Sequence, residues 1–409
     1  MKGQKEKKTA AGAGAAKTTN LTMVLPNDLS SYSKPNDVIV KHLDWKITSI
    51  DFETQILYGE ATYTIEISRC RTDNVATGTT QMGTCSTAKA TTTAARTLDL
   101  DTANLEILEV KAGTTPLHFT LHPLVDEETK SHLGRHLEIN LPTATTNRNK
   151  TATQHQEEEE QQITIVYQTT KKCSALQWLP PSQTAGQEHP YLFTQCQAIH
   201  ARSLLPCQDR CGVKFTYTAQ ITVDFWATAV MSALLVSTTS STDTDKQETA
   251  TKTKTRTKTF VFDQPVPIPS YLLAVAVGDI VKRTISERCC VWSEASVVEA
   301  VAYEFQETED FLRTAELLAG TPYQWTRYDL LCLPPSFPYG GMENPCITFV
   351  TPTLLAGDRS LANVIAHEIA HRYVVTTAST LQCLEPDWIV WEKGCFDCFA
   401  LNLHSLLLA

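Results

Sequence analysis

No stretch of about 18 consecutive apolar residues occurs in this chain, the length a helix needs to cross a bilayer. The two most apolar stretches, Phe225 to Val236 and Tyr271 to Val277, are short enough to be core segments. Nor is there an excess of positive charge: 35 Lys and Arg stand against 45 Asp and Glu, a net charge of −10. That argues against a nucleic-acid partner, because affinity there comes mostly from neutralising phosphates. No apolar h-region of a secretory signal follows the basic start. The 13 cysteines are odd in number and scattered. Cys395 and Cys398 form a C-x-x-C, but with no second pair at zinc-ribbon spacing the pair is read as coincidence. A reduced, cytoplasmic chain is expected, with most thiols acting as small buried hydrophobes. The nearly acid-free run from Met1 to Lys17 leaves an organelle transit segment as the second reading of location.

At 409 residues the chain has room for two or three domains. Four tracts read as structureless: an N-terminus over 1–30, and insertions over about 70–97, 142–162 and 237–259. They are rich in Thr, Ser, Lys and Ala, or carry the four-Glu run from Glu157 to Glu160, and cannot bury enough apolar surface to offset chain entropy. Between them the early chain alternates with period two. Leu43, Trp45 and Ile47 alternate with Asp44 and Lys46; Ala61, Tyr63, Ile65 and Ile67 with Thr62, Thr64 and Glu66. The longest case runs from Val213 through Phe215, Tyr217, Ala219 and Ile221 to Val223. Each predicts a half-buried strand with one wet face, and together they predict a β-rich first part, sandwich-like in its layering.

The pattern changes after about residue 285. Phe305, Leu312, Ala315 and Ala319 recur at helical spacing and end at Gly320, which predicts one amphipathic helix with a glycine stop. Tyr328 to Leu333 and Ile347 to Thr351 read as buried strands, and a second helix is expected from near Ser360, its N-cap, past His371. This last third is mixed α and β.

The sharpest signal is His367-Glu368-Ile369-Ala370-His371. On a helix, positions i and i+4 share a face with Cβ atoms about 6 Å apart, so two imidazoles there can hold one Zn²⁺. The intervening Glu is placed to take a proton from water activated beside the metal. The bland alternative is a pair of helix histidines satisfied by ordinary hydrogen bonds. Upstream, adjacent Gly340 and Gly341 leave backbone uncovered, so that a peptide could pair as an added strand, and Glu343 beside them could hold a cationic amine. On its own this segment reads equally as a tight turn with a solvated Glu.

The run Pro334-Pro335-Ser336-Phe337-Pro338-Tyr339-Gly340-Gly341-Met342-Glu343-Asn344-Pro345, followed by the H-E-x-x-H at His367, resembles the gluzincin zinc aminopeptidases of the leukotriene A(4) hydrolase and aminopeptidase-B group. So do Ser174-Ala175-Leu176-Gln177-Trp178-Leu179 and Gln195-Cys196-Gln197-Ala198-Ile199-His200. The resemblance is close over 174–371, apart from the Thr-rich insertion, and looser over 35–170. It implies an α+β multidomain fold: a β-saddle or sandwich over 31–280, then an incomplete thermolysin-like α/β catalytic domain over 281–409. It implies one Zn²⁺ per chain on His367 and His371, with Glu368 as general base. It also implies that Glu343 binds the free α-amino group of a peptide substrate. Gln195, Cys196 and Gln197 would line the first-residue pocket, and Pro338, Tyr339, Gly340, Gly341 and Met342 would contact the peptide.

Beyond His371 the text departs from that pattern. The family's third ligand, a Glu, stands 19 residues after the second His, where this chain has Val390; the nearest carboxylate in a comparable run is Glu392, with Glu385 as the weaker candidate. A longer loop absorbs two residues at little cost in closure entropy. The family's downstream oxyanion-binding Tyr and its C-terminal helical domain have no counterpart, Tyr373 being the last Tyr. Two readings follow: a zinc-dependent aminopeptidase, or an impaired relative that binds zinc and peptides without efficient turnover.

Overall fold

The structure is a computed structural model that describes residues 28–68, 96–124, 133–142, 160–241 and 256–377. The described part of the chain is α+β: four sheets precede or surround four short to medium helices. The largest sheet has eight strands in the order Leu234–Ser241, Thr257–Pro269, Lys214–Asp224, Val38–Asp51, Ile56–Ile67, Glu160–Thr169, Leu105–Ala112 and Thr115–Pro116. Its long members are the segments that alternate in sequence. In Lys214–Asp224 the residues Phe215, Tyr217, Ala219, Ile221 and Val223 are buried while their neighbours face outward or are half-covered. A four-stranded sheet (Thr228–Met231, Val275–Gly278, Tyr191–Thr194, Leu176–Leu179) and a three-stranded one (Thr97–Thr102, Arg135–Asn140, Phe119–Leu121) share the same apolar core.

The polar tracts are shorter than composition suggests. Residues 237–241 and 257–259 extend the hairpin strands Leu234–Ser241 and Thr257–Pro269, and residues 160–162 start the strand Glu160–Thr169. Thr is β-branched and suits a strand whose one face is wet, and Thr222 and Thr259 bond across the pair at 3.0 Å. The rest of those insertions lies outside the described residues. The apolar run Phe225 to Val236 is also less buried than expected. Phe225, Leu235 and Val236 are exposed, the last two on the outermost strand of the large sheet, whereas Leu272 to Val277 is core.

A fourth sheet orders its strands as Ile280–Thr284, Cys290–Glu294, Asp329–Cys332, Ile347–Val350 and Gly341–Met342. Asp329–Cys332 runs parallel to both its neighbours, and the strands there are apolar on both faces, as parallel strands covered twice must be. Leu331 and Phe349 join the core of the first three sheets; Leu330, Cys332 and Val350 join a second core with the helices. The helices are α1 (Ala201–Leu204), α2 (Val298–Glu304), α3 (Thr308–Ala319) and α4 (Asn363–Thr377). The single helix expected from Phe305 to Ala319 is two. Phe305 is the C-cap of α2, and the Thr308 amide and hydroxyl both donate to its carbonyl, which closes α2 before α3 begins. Gly320 does end α3, at φ 67°, in the left-handed region that glycine enters without cost.

Candidate active site

Helix α4 begins at Asn363, three residues after Ser360; the Ser360 amide instead donates to the Asp358 carboxylate at 3.0 Å, so Ser360 belongs to the preceding turn and is not the N-cap. Ile365, Ala366, Ile369 and Ala370 form the buried stripe of α4, and the first three pack into the second core. That stripe fixes the rotation of the helix. It leaves His367 and His371 half-buried on neighbouring turns, their ring centroids 4.5 Å apart and their Nε2 atoms 2.9 Å apart.

Two imidazole nitrogens so close can share one proton or one cation. Ligands about 2.0–2.1 Å from a tetrahedral ion stand about 3.3 Å from each other. Opening the pair by a few tenths of an ångström therefore suits it to a metal, and two nitrogen donors of this kind match zinc.

Glu368, between them in sequence, is 4% exposed. Its carboxylate lies against Gly341. A Cβ placed on Gly341 would come within 2.5 Å of Glu368 Cδ and 2.8 Å of Cγ. Glycine is therefore required at 341 by close approach, not by a turn. Gly341–Met342 pairs antiparallel with Ile347–Val350 at the rim of the fourth sheet, and among the described residues no strand pairs with its other edge, which could take an added one. Met342 points the opposite way from Gly341, into the first core, where its sulfur accepts from the Gln195 side chain at 3.2 Å. Glu343, the next residue, is 7% exposed and lies within about 7 Å of chain reach of Gly341.

The structure thus brings together Gln195, Gly341, Met342 and the His367–His371 turn, with Glu343 adjoining. Tyr339 and Pro338 are exposed on the approach to this strand, and the Tyr339 ring meets Phe337, which in turn meets Phe193. Gln197 is exposed. Cys196 is 2% exposed and packs in the first hydrophobic core. Glu392, Glu385 and the Cys395–Cys398 pair lie outside the described residues. Of the described cysteines, all but Cys211 are buried. Burial pushes the thiols of Cys289 and Cys332 up to about 12, far from the range of a reactive thiolate. Sequence reading did not foresee that Gly341 makes room for Glu368 or that Gln195 reaches Met342; both contacts join segments far apart in the chain, and no local pattern announces them.

The peptidase M1 N-terminal domain model matches residues 47–272, and the peptidase family M1 domain model matches residues 303–378. The chain belongs to peptidase family M1. The M1 relatives include leukotriene A-4 hydrolase of Xenopus laevis, 42% identical over 346 residues that make up 85% of this chain and 49% of that protein. Aminopeptidase B of Mus musculus is 49% identical over 206 residues, 49% of this chain and 29% of the mouse protein. Among solved structures, yeast LTA4 hydrolase in complex with bestatin superposes with a TM-score of 0.66 at 33% identity, over 86% of this chain and 46% of that one. The chain therefore spans about half the length of the relatives it matches. Membership in M1 implies zinc, and the arrangement of His367 and His371 fits it. The M1 fold also accounts for the order seen here, a β-rich part followed by a catalytic part with a helix-borne H-E-x-x-H. Among the described residues no helix is long and apolar enough to cross a membrane.

Proposed function

We propose that this chain is a zinc aminopeptidase that removes the first residue from peptides with a free N-terminus. The observation that supports this most is the meeting of two convergent imidazole nitrogens with a buried carboxylate packed on a glycine of an edge strand. In this reading His367 and His371 hold one Zn²⁺ per chain, and Glu392 completes the set, with Glu385 the second candidate. The zinc, when bound, lowers the pKa of a water toward 7 and polarises the scissile carbonyl. Glu368 accepts the water's proton at a carboxylate oxygen and returns it to the leaving amine. Gly340 and Gly341 offer backbone groups to the peptide, and the carboxylate of Glu343 pairs with the α-ammonium group, which limits cleavage to the first bond. Gln195 and Gln197 border the first side chain. The cytoplasmic setting is part of the same proposal and is supported by the odd number and scattered placing of the 13 cysteines.

Purified chain supplied with Zn²⁺ should hydrolyse an aminoacyl-amide and leave its N-acetylated counterpart intact. Equal turnover of both would contradict an N-terminal anchor. Replacing Glu343 by Gln removes the charge partner of the amine and should lower kcat/KM by about 10- to 100-fold, the worth of one hydrogen bond to a charged group. Zinc and peptide binding with no turnover would favour the binding-only reading.

Gly341→Ala tests the close approach directly. The added methyl displaces the Glu368 carboxylate, and a misplacement of about 1 Å costs about 100-fold in rate. Zinc content and far-UV circular dichroism should stay those of the parent. Undiminished hydrolysis by this variant would show that the contact does not position Glu368.

A further inference from the structure

The small sheet of Thr97–Thr102, Arg135–Asn140 and Phe119–Leu121 turns Leu98, Leu100, Leu137 and Ile139 into the core. Its opposite face gathers groups that the peptidase reading does not use. The backbone N–H of His122 donates to the His136 carbonyl at 2.9 Å, so the two histidines are cross-strand neighbours, and their rings stack with centroids 4.8 Å apart. Glu138 lies two residues from His136 on the same face. One donor atom from each of His122, His136 and Glu138 falls within 4.8 Å of the other two.

We propose that His122, His136 and Glu138 form a second metal site, one that takes a divalent cation of the zinc class.

Three observations carry it. His122 Nε2 stands 3.5 Å from the Glu138 carboxylate, long for a hydrogen bond but close to the roughly 3.4 Å that separates two ligands of a tetrahedral ion. That nitrogen is shielded from solvent and makes no hydrogen bond among the described residues, a state that a cation would relieve. Second, His136 is held from behind. Its Nε2 is 2.6 Å from Asp99, a carboxylate that also accepts from Lys34 and Thr97. With Asp99 holding one ring nitrogen, the other stays available to a cation, the carboxylate–histidine arrangement that orients a ligand. Third, the site lies at the surface. The side chains of His122 and Glu138 are 40% and 32% exposed, so a rotation of the His122 ring brings its shielded donor atom to an incoming ion. Two imidazoles and one carboxylate, with a fourth position left for water, suit zinc and not the all-oxygen shells of calcium or magnesium. Drawing the three donors from 4.8 Å to about 3.4 Å apart moves each by less than about an ångström, and the two rings, stacked at 11°, must tilt apart so that their in-plane lone pairs converge on one ion.

The test uses the full chain carrying both His367→Ala and His371→Ala, which removes the imidazoles of α4. Zn²⁺ is the only added ligand, and binding is read by equilibrium dialysis with elemental analysis. About one zinc per chain should remain. Adding His122→Ala, or the shape-preserving Glu138→Gln, should weaken that binding at least tenfold with an unchanged far-UV circular dichroism spectrum. No zinc on the double variant, or binding indifferent to both further changes, would overturn the site. Because α4 is disarmed throughout, this result stands apart from the peptidase reading, and either can fail alone.

Discussion

Glu368→Gln should lower kcat/KM for an aminoacyl-amide by about 1000-fold and leave zinc content unchanged. Glutamine has nearly the shape of glutamate, so it can keep the buried seat against Gly341 that leaves Glu368 only 4% exposed. What it loses is a basic oxygen. Proton transfer by a positioned side chain contributes about 10²- to 10⁴-fold, and the middle of that range is expected because the carboxylate is buried and fixed on one side by a glycine Cα. The histidines are untouched, so zinc measured by elemental analysis should match the parent chain. A variant that retains most of its activity would remove Glu368 from the reaction. A variant that loses its zinc would instead make Glu368 a support of the metal site. Comparison with Gly341→Ala separates two contributions: the glutamine variant removes the base, and the alanine variant moves it.

Much of this site is local in the chain, which is why sequence alone reached it. Two imidazoles four residues apart must share a helix face, and the buried apolar Ile365, Ala366, Ile369 and Ala370 dictate which face that is. The long strands were equally legible, because Phe215 to Val223 alternate strictly and a pleated strand has the same period. What stayed hidden is what the fold joins across distance. Gly341 and Glu368 are 27 positions apart, and Gln195 and Met342 are 147 apart. His122, His136 and Glu138 come together only because two strands pair in one register. The break between α2 and α3 was missed for a different reason. Phe305 sits in helical phase with Leu312 by coincidence, and the signal that ends α2 is a Thr308 side chain bonded back to a carbonyl, which periodicity does not register. Ser360 misled in the same way: a serine ahead of an apolar run can cap a helix or stabilise the turn before it, and here it does the second.

Arg202→Ala should cost about 3–5 kcal/mol of stability, because it strips a buried cation from the carboxylates of Asp209 and Asp101. Arg202 lies in α1 and is 1% exposed. Its Nε donates to the Asp209 carboxylate at 2.9 Å, and its terminal nitrogens donate to the carbonyls of Leu133 at 2.7 Å and Asp209 at 3.1 Å. Asp209 also accepts from the Ser270 hydroxyl, and its amide donates to Asp101, which in turn receives Ser31 and the Tyr32 amide. One side chain therefore pins the N-terminal segment, the small sheet and the loop before Lys214–Asp224 together. Burial pushes the Asp101 carboxyl up from its ordinary range, and Arg202 is the largest influence holding it down. Without Arg202 it rises further. A carboxyl whose folded pKa lies above its unfolded value of about 3.9 favours folding below that pH, and the favour is lost as pH rises through the folded value. The deficit of the variant should therefore be small near pH 4 and grow toward neutrality. Asp101→Asn added to Arg202→Ala should recover part of the loss at pH 7, by about 1 kcal/mol or more, since contacting groups couple on that scale. Urea midpoints with unchanged m-values would report both effects. A deficit that is flat with pH, or a double variant no better than the single, would mean that Arg202 acts through packing and its carbonyl bonds and not through the charge of Asp101.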